Sequence, residues 1–192
     1  MGNDRFNDTA LSAELESLIH AELLPIAKEL TARGETFSAA ESLTGGLMSA
    51  YCVDIPGSSE WFLEGFVTYS PKAKIDHLGV PAELIEKNTM VDAEVTLEMA
   101  RGARRESGSD YSVAMSGLSG PFFHSDGTPY PMDPRHVPGL VFVACSSEKG
   151  EAVHRYVLTG TRAEIRRMTV LKAVQMLANM LQIGEGYAII GL

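Results

Sequence analysis

The chain has few of the features that mark a membrane, nucleic-acid or metal-binding protein. Among its 192 residues, Cys52 and Cys145 are the only cysteines. They stand far apart without metal-ligand spacing, and read as two buried thiols in a reducing compartment. No apolar run reaches membrane-spanning length. Residues 1–6 lack the apolar stretch of a secretory leader, and Phe6 breaks the myristoylation pattern. The expectation is a soluble, cytoplasmic protein with no membrane partner. Positive charge is also scarce: 16 Lys and Arg against 25 Asp and Glu give a formal charge of −9. That balance argues against a nucleic-acid groove and predicts no nucleic-acid partner. There is no internal repeat and no low-complexity linker.

The chain does contain the material of one compact domain over residues 1–192, with 45% hydrophobic and 21% charged residues. Leu15, Ile19, Leu23, Ile26 and Leu30 recur at helical spacing and predict an amphipathic helix, with a kink expected at Pro25 and an end at Gly34. A small-residue strand follows over 36–40, then a helix over roughly 44–54. Residues 61–69, aromatic and β-branched, predict a largely buried strand. Short helices are expected near 72–77 and after Pro81, and Asp92 suits the N-cap of a helix reaching about Glu106. Residues 110–116 read as a strand, and 139–146 with 152–158 as an antiparallel hairpin. A last helix, about 163–181, carries the stripe Val170, Val174, Leu177 and Leu181. Strands alternating with helices, plus one hairpin, predict an α/β fold: a three-layer α/β/α sandwich on a mixed, mostly parallel sheet.

Such a sheet carries its ligand crevice at the carboxyl ends of its strands. Three polar turns fall there, at 42–46, 69–74 and 116–121. Ser42 and Thr44 stand where a strand runs into a helix, beside unpaired backbone N–H groups that favour an oxyanion, a phosphate or an activated hydroxyl. A serine nucleophile requires a base. Of the histidines, only His77 and His124 are near these turns, and neither forms an obvious triad. A lysine whose pKa is lowered by burial would serve instead, which points to Lys72 or Lys74. Against this, both lysines also read as ordinary surface charges. His124, Asp126, Asp133 and His136 share one loop, but their spacing matches no metal-ligand pattern. Glu41 is read as orienting Lys74 or the turn, or as the partner of an arginine.

Several motifs occur together and in order: Ala40-Glu41-Ser42-Leu43-Thr44-Gly45-Gly46, Pro56-Gly57-Ser58-Ser59-Glu60-Trp61-Phe62-Leu63-Glu64-Gly65-Phe66-Val67-Thr68-Tyr69-Ser70, Ala73-Lys74, Leu78-Gly79-Val80, Met99-Ala100-Arg101-Gly102-Ala103 and Ser116-Gly117-Leu118-Ser119-Gly120-Pro121. Over about residues 15–180 the chain resembles the CinA C-terminal domain family. Longer members carry a further N-terminal domain, for which this chain has no room. The resemblance implies an α/β/α sandwich and a nicotinamide-nucleotide amidase that converts nicotinamide mononucleotide and water to nicotinate mononucleotide and ammonia. It further implies Ser42 as nucleophile, Lys74 as general base and Tyr69 lining the site. Backbone N–H groups around Thr44, Gly45 and Gly46 would stabilise the oxyanion. Ser116, Gly117 and Gly120 with Thr44 would contact the substrate, and Arg162 would contact its phosphate. No metal and no cofactor are implied. Self-association to a homo-oligomer is, with the apolar tail 184–192 as one surface for it.

The chain departs from the family pattern at three places. Pro71 replaces the usual Asn. Thr89-Met90-Val91-Asp92 stands for Gly-Ala-Val-Ser. A Pro-rich insertion occupies about 122–138, with Phe122 and Phe123 able to plug a pocket. The sequence therefore leaves two classes: an amidase, or a catalytically inactive relative that binds nucleotides or partners and in which Ser42 merely caps a helix.

Overall fold

A computed structural model describes residues 10–120, 128 and 137–183. Within them, five strands form one sheet in the order β2-β1-β3-β4-β5. The elements run α1 (Ala10–Arg33), β1 (Phe37–Glu41), α2 (Leu47–Val53), β2 (Phe62–Val67), α3 (Pro71–Leu78), α4 (Ala82–Asn88), α5 (Ala93–Ser107), β3 (Tyr111–Gly117), β4 (Leu140–Ser147), β5 (Gly150–Val157) and α6 (Arg162–Leu181). β1 pairs in parallel with β2 and β3, whereas β4 is antiparallel to both β3 and β5. Only β4 thus runs against the other strands. Helices cover both faces, giving the expected three-layer α/β/α arrangement.

The two faces are built from side chains of different size. Phe37 and Ala39 of β1, Tyr111, Val113 and Met115 of β3, and Val141, Val143 and Cys145 of β4 project to one side, where α1, α2 and α6 bury them. Alternate positions carry Ala40, Ala114 and Ala144 to the other side, against Val95, Met99, Ala100 and Ala103 of α5. Small residues let α5 approach closely, and Ser112 Oγ donates to Ala100 O at 2.7 Å across the contact. Gly102 extends the same economy to the next layer: a methyl there would lie 2.2 Å from Leu78 O of α3.

The stripe on α6 is buried as expected, and so are the α1 positions from Leu15 to Leu30 that the spacing selects. Helix α1 runs through Pro25 as one element, and Gly34 follows it with φ 63°. The strand over 61–69 differs from expectation. β2 is an edge strand with Leu63 46% and Val67 51% exposed, because composition selects a strand without saying whether a neighbour covers it. Pro71 occupies the first turn of α3, where its missing N–H has no intrahelical partner to lose, and Ser70 Oγ caps the helix by accepting from Ala73 N at 3.1 Å. Asp92 caps α5 through Glu94 N and Val95 N. Thr89 has φ 74° and ψ 170°, a conformation suited to the glycine usual in the resembled family and costing a β-branched residue about 1–3 kcal/mol. Cys52 and Cys145 are free and buried, and burial pushes both thiols up, Cys145 to about 12. No described helix is long and apolar enough to cross a membrane.

Gly102→Ala is expected to force α3 and α5 apart and to lower unfolding stability by about 1–3 kcal/mol. Urea denaturation with an unchanged m-value checks this.

Candidate active site

Three loops leave the sheet at the carboxyl ends of the adjacent strands β2, β1 and β3, so the sheet order itself brings them together. Ser42 directly follows β1, and its N–H donates to Met115 O of β3 at 3.0 Å. Thr68 follows β2, and its N–H donates to Glu41 O of β1 at 2.9 Å. Ser42 and Thr68 are therefore pinned on neighbouring strand ends. Lys74, in the first turns of α3, is fully buried, and its Nζ donates to Thr68 O at 2.7 Å. Ser42 is 7% exposed, and among the described residues its hydroxyl has no hydrogen-bond partner.

Burial lowers the Lys74 pKa from its usual 10.5 to about 8, since an ammonium without a carboxylate partner loses its hydration there. An appreciable fraction of the side chain is then a neutral amine near neutral pH. By contrast Lys72 is on the surface, paired with Asp76.

Glu41 defines the local architecture. Its carboxylate lies fully buried at the end of β1, on the side of the sheet that faces α2. Oε2 accepts from Gly46 N at 2.9 Å and Met48 N at 3.1 Å, while Oε1 accepts from Ser49 N at 2.9 Å and Ser49 Oγ at 2.7 Å. It orients the turn, one of the roles the sequence allowed, by capping α2. This corrects the oxyanion assignment: the Gly46 N–H is taken by Glu41, and the Gly45 N–H bonds to Ser42 O at 3.2 Å. The amides of Leu43 and Thr44 are the ones in this turn without a described partner.

Ser116 has a backbone partner of its own. It is buried, and its hydroxyl donates to Met90 O at 2.9 Å, tying β3 to the loop that contains Thr89. Gly117 serves packing, because a methyl there would lie 2.5 Å from Leu140 O. A methyl on Gly120, which is buried, would meet no described atom within 4 Å. Tyr69 stands 58% exposed at the rim. The hydroxyls of Thr44 and Thr68 are buried without a described hydrogen-bond partner. Arg162 begins α6 and is exposed.

Arg166 was not singled out from the sequence. Its Nη2 donates to Thr44 O at 2.5 Å, reaching from α6 across to the turn. Only its spacing of four residues from Arg162 hinted at a shared face. The readings attached to Phe122, Phe123, His124, Asp126, Asp133, His136 and the tail 184–192 lie outside the described residues. No group of three or more His, Cys, Asp or Glu among the described residues is placed to hold a metal.

The architecture is that of a three-layer α/β/α domain with a serine and a buried lysine at the carboxyl edge of its sheet. The chain belongs to the CinA C-terminal domain family, whose model matches residues 21–181. A CinA-like protein of Geotalea daltonii is 44% identical over 144 residues, 75% of this chain and 33% of that protein. The chain thus spans about a third of the length of several curated relatives it matches. The nicotinamide-nucleotide amidohydrolase PncC of Escherichia coli K12 is nearer in size: 38% identical over 153 residues, 79% of this chain and 88% of that enzyme. The crystal structure of the competence/damage inducible protein CihA from Agrobacterium tumefaciens superposes with a TM-score of 0.76 at 35% identity, covering 86% of this chain and 96% of that one.

Two predictions test this electrostatic frame. Glu41→Gln replaces one acceptor oxygen with an NH2 facing backbone donors, and should cost about 1–3 kcal/mol in urea denaturation. Lys74 has its folded pKa below its unfolded one, so the unfolded chain binds more protons between about pH 8 and 10.5. Its cost to folding is therefore full below pH 8 and relieved as pH rises through that window. Lys74→Met should raise the melting temperature at pH 7, gaining at most about 3 kcal/mol, and should flatten the rise in stability from pH 8 to 10.5.

Proposed function

We propose that the protein is an amidohydrolase that deamidates nicotinamide mononucleotide through Ser42 and Lys74. The observation that carries this reading is Lys74: fully buried, without a carboxylate partner among the described residues, its pKa lowered to about 8, and anchored to the strand end beside Ser42. The likeness to the E. coli enzyme over most of both chains supports the choice of substrate. That Glu41, and not Ser42, accepts from the N–H groups at the start of α2 supports this reading over a capping role for Ser42.

In this mechanism neutral Lys74 Nζ takes the proton from Ser42 Oγ as that oxygen attacks the carboxamide carbon. The amide N–H groups of Leu43 and Thr44 receive the developing oxyanion, each contributing a few kcal/mol. The C–N bond then breaks as Lys74 returns the proton to the leaving nitrogen, releasing ammonia and leaving an ester on Ser42. Water, deprotonated by the same amine, attacks that ester to give nicotinate mononucleotide and free Ser42. Tyr69 borders the pyridine, and Arg162 faces the phosphate. The chemistry needs no metal and no cofactor.

Ammonia release from nicotinamide mononucleotide tests the proposal directly. Ser42→Ala and Lys74→Ala should each reduce turnover by at least about a thousandfold with the fold retained, as for paired nucleophile and base. Because the base acts only when neutral, kcat/KM should rise with pH and level off above about pH 8. A flat profile between pH 6 and 9, or turnover by either variant, refutes the pair.

A further inference from the structure

The pairing register shows which side of the sheet the candidate site occupies. Ala40 pairs with Phe66 of β2 and Ala114 of β3, and all three lie on the face covered by α5. Two residues later the same alternation brings Thr68, Ser42 and Ser116 into one row at the strand ends. Lys74 of α3 closes this row on the Thr68 side. The loop over residues 89–92, just before α5, closes it on the Ser116 side, through the bond from Ser116 Oγ to Met90 O at 2.9 Å. Within that loop Val91 is buried against Leu140 and Phe142, and Asp92 caps α5. Met90 instead leaves its side chain 39% exposed. Its backbone is one strand spacing, about 4.8 Å, and one side-chain hydrogen bond away from Ser42. Next to it Thr89 holds φ 74°, a strained conformation of the kind that gathers at ligand clamps and persists where the surroundings fix it. Both residues fall in the stretch where the chain departs from its family's pattern.

We propose that Met90 is a specificity-determining residue of this site, a thioether wall that receives the aromatic ring carried by the carboxamide. This rests on the amidase reading for the class of substrate. A carboxamide carbon attacked by Ser42 Oγ stands in the middle of the row. Lys74 occupies one flank, where it takes and returns the proton, so the leaving nitrogen lies toward that flank. The ring on the same carbon is thereby turned toward the other flank, where Met90 is exposed. A thioether is apolar and polarisable and packs well against aromatic rings. Against a pyridinium, its sulfur lone pairs also face positive charge. The loop is tied down by the buried Val91, by the Asp92 cap and by the bond to Met90 O, so the wall keeps its place. Met90 therefore makes the site prefer carboxamides on an aromatic ring over those on an aliphatic chain. It acts on binding more than on the chemical step.

The experiment compares wild type with Met90→Ala, Met90→Leu and, as the loss of an exposed apolar side chain on α1, Leu18→Ala. Folding of each is verified by circular dichroism and melting. Calorimetry measures the binding of nicotinate mononucleotide and of ribose 5-phosphate, which lacks the ring. The constants kcat and KM are measured separately on nicotinamide mononucleotide. Met90→Ala should bind nicotinate mononucleotide about tenfold more weakly, and ribose 5-phosphate as wild type does. Its KM should rise by a similar factor with kcat within about twofold. Met90→Leu keeps the volume but not the sulfur, and should lose about two- to threefold. Leu18→Ala should match wild type throughout. Wild-type affinity for nicotinate mononucleotide in Met90→Ala overturns the proposal. So does an equal loss for ribose 5-phosphate, a loss carried by kcat in place of KM, or no binding of nicotinate mononucleotide by wild type. Should wild type bind that nucleotide yet fail to hydrolyse nicotinamide mononucleotide, the amidase reading falls on that result alone, while the calorimetry still decides the role of Met90.

Discussion

The site depends on one buried carboxylate. Glu41 ends a strand in the middle of the sheet and accepts four hydrogen bonds from the first turn of α2 and its approach. A buried charge is costly unless hydrogen-bonded on all sides, and here backbone donors at the positive end of a helix satisfy it. In return the carboxylate fixes how the chain reverses between β1 and α2. Ser42 is held on one side of that reversal and the free Leu43 and Thr44 amides within it. Had Glu41 been absent, the α2 donors would have been the obvious anion site; with it present, those donors are occupied.

The unequal faces of the sheet serve the same end. Large side chains on one side form the main hydrophobic core with α1, α2 and α6. Alanine, serine and glycine on the other let α5 and α3 lie close to the strands. That closeness brings the first turns of α3 over the end of β2, so that Lys74 reaches Thr68 O from inside the protein. A more distant α3 would leave the lysine hydrated and fully protonated at neutral pH. Close packing in one layer thus sets the protonation of a residue in another. The same burial makes Lys74 unfavourable for folding, a conflict between stability and chemistry expected of a functional group.

Much of the fold was legible from local pattern. The α6 stripe, the α1 repeat, the Asp92 cap and the β4–β5 hairpin each rest on spacing or on one residue's chemistry, and these operate within a few positions of chain. The exposure of β2 was not legible, since aromatic and β-branched residues favour a strand wherever it sits in the sheet. Of the candidate site, Ser42 was legible from residue type and place in the chain order, which left Lys72 and Lys74 both open, and only the family resemblance singled out Lys74. The roles of Glu41, Ser116 and Arg166 were not legible, because each is set by a partner brought near in space. The hydroxyl of Ser116 finds Met90 O across 26 positions, and the guanidinium of Arg166 finds Thr44 O across 122.

The sequence by itself determined the alternation of strands and helices, the three turns at the strand ends, and the residue types available there. Those follow from side-chain periodicity and from the backbone preferences of Gly, Pro, Ser and Asp. The tertiary structure alone decided which backbone amides are spent and which remain free, that Lys74 is dehydrated while Lys72 is not, and that Arg166 reaches the Ser42 turn. Hydrogen-bond occupancy and desolvation are properties of what surrounds a group, and those surroundings come from elements that only the folded sheet places side by side.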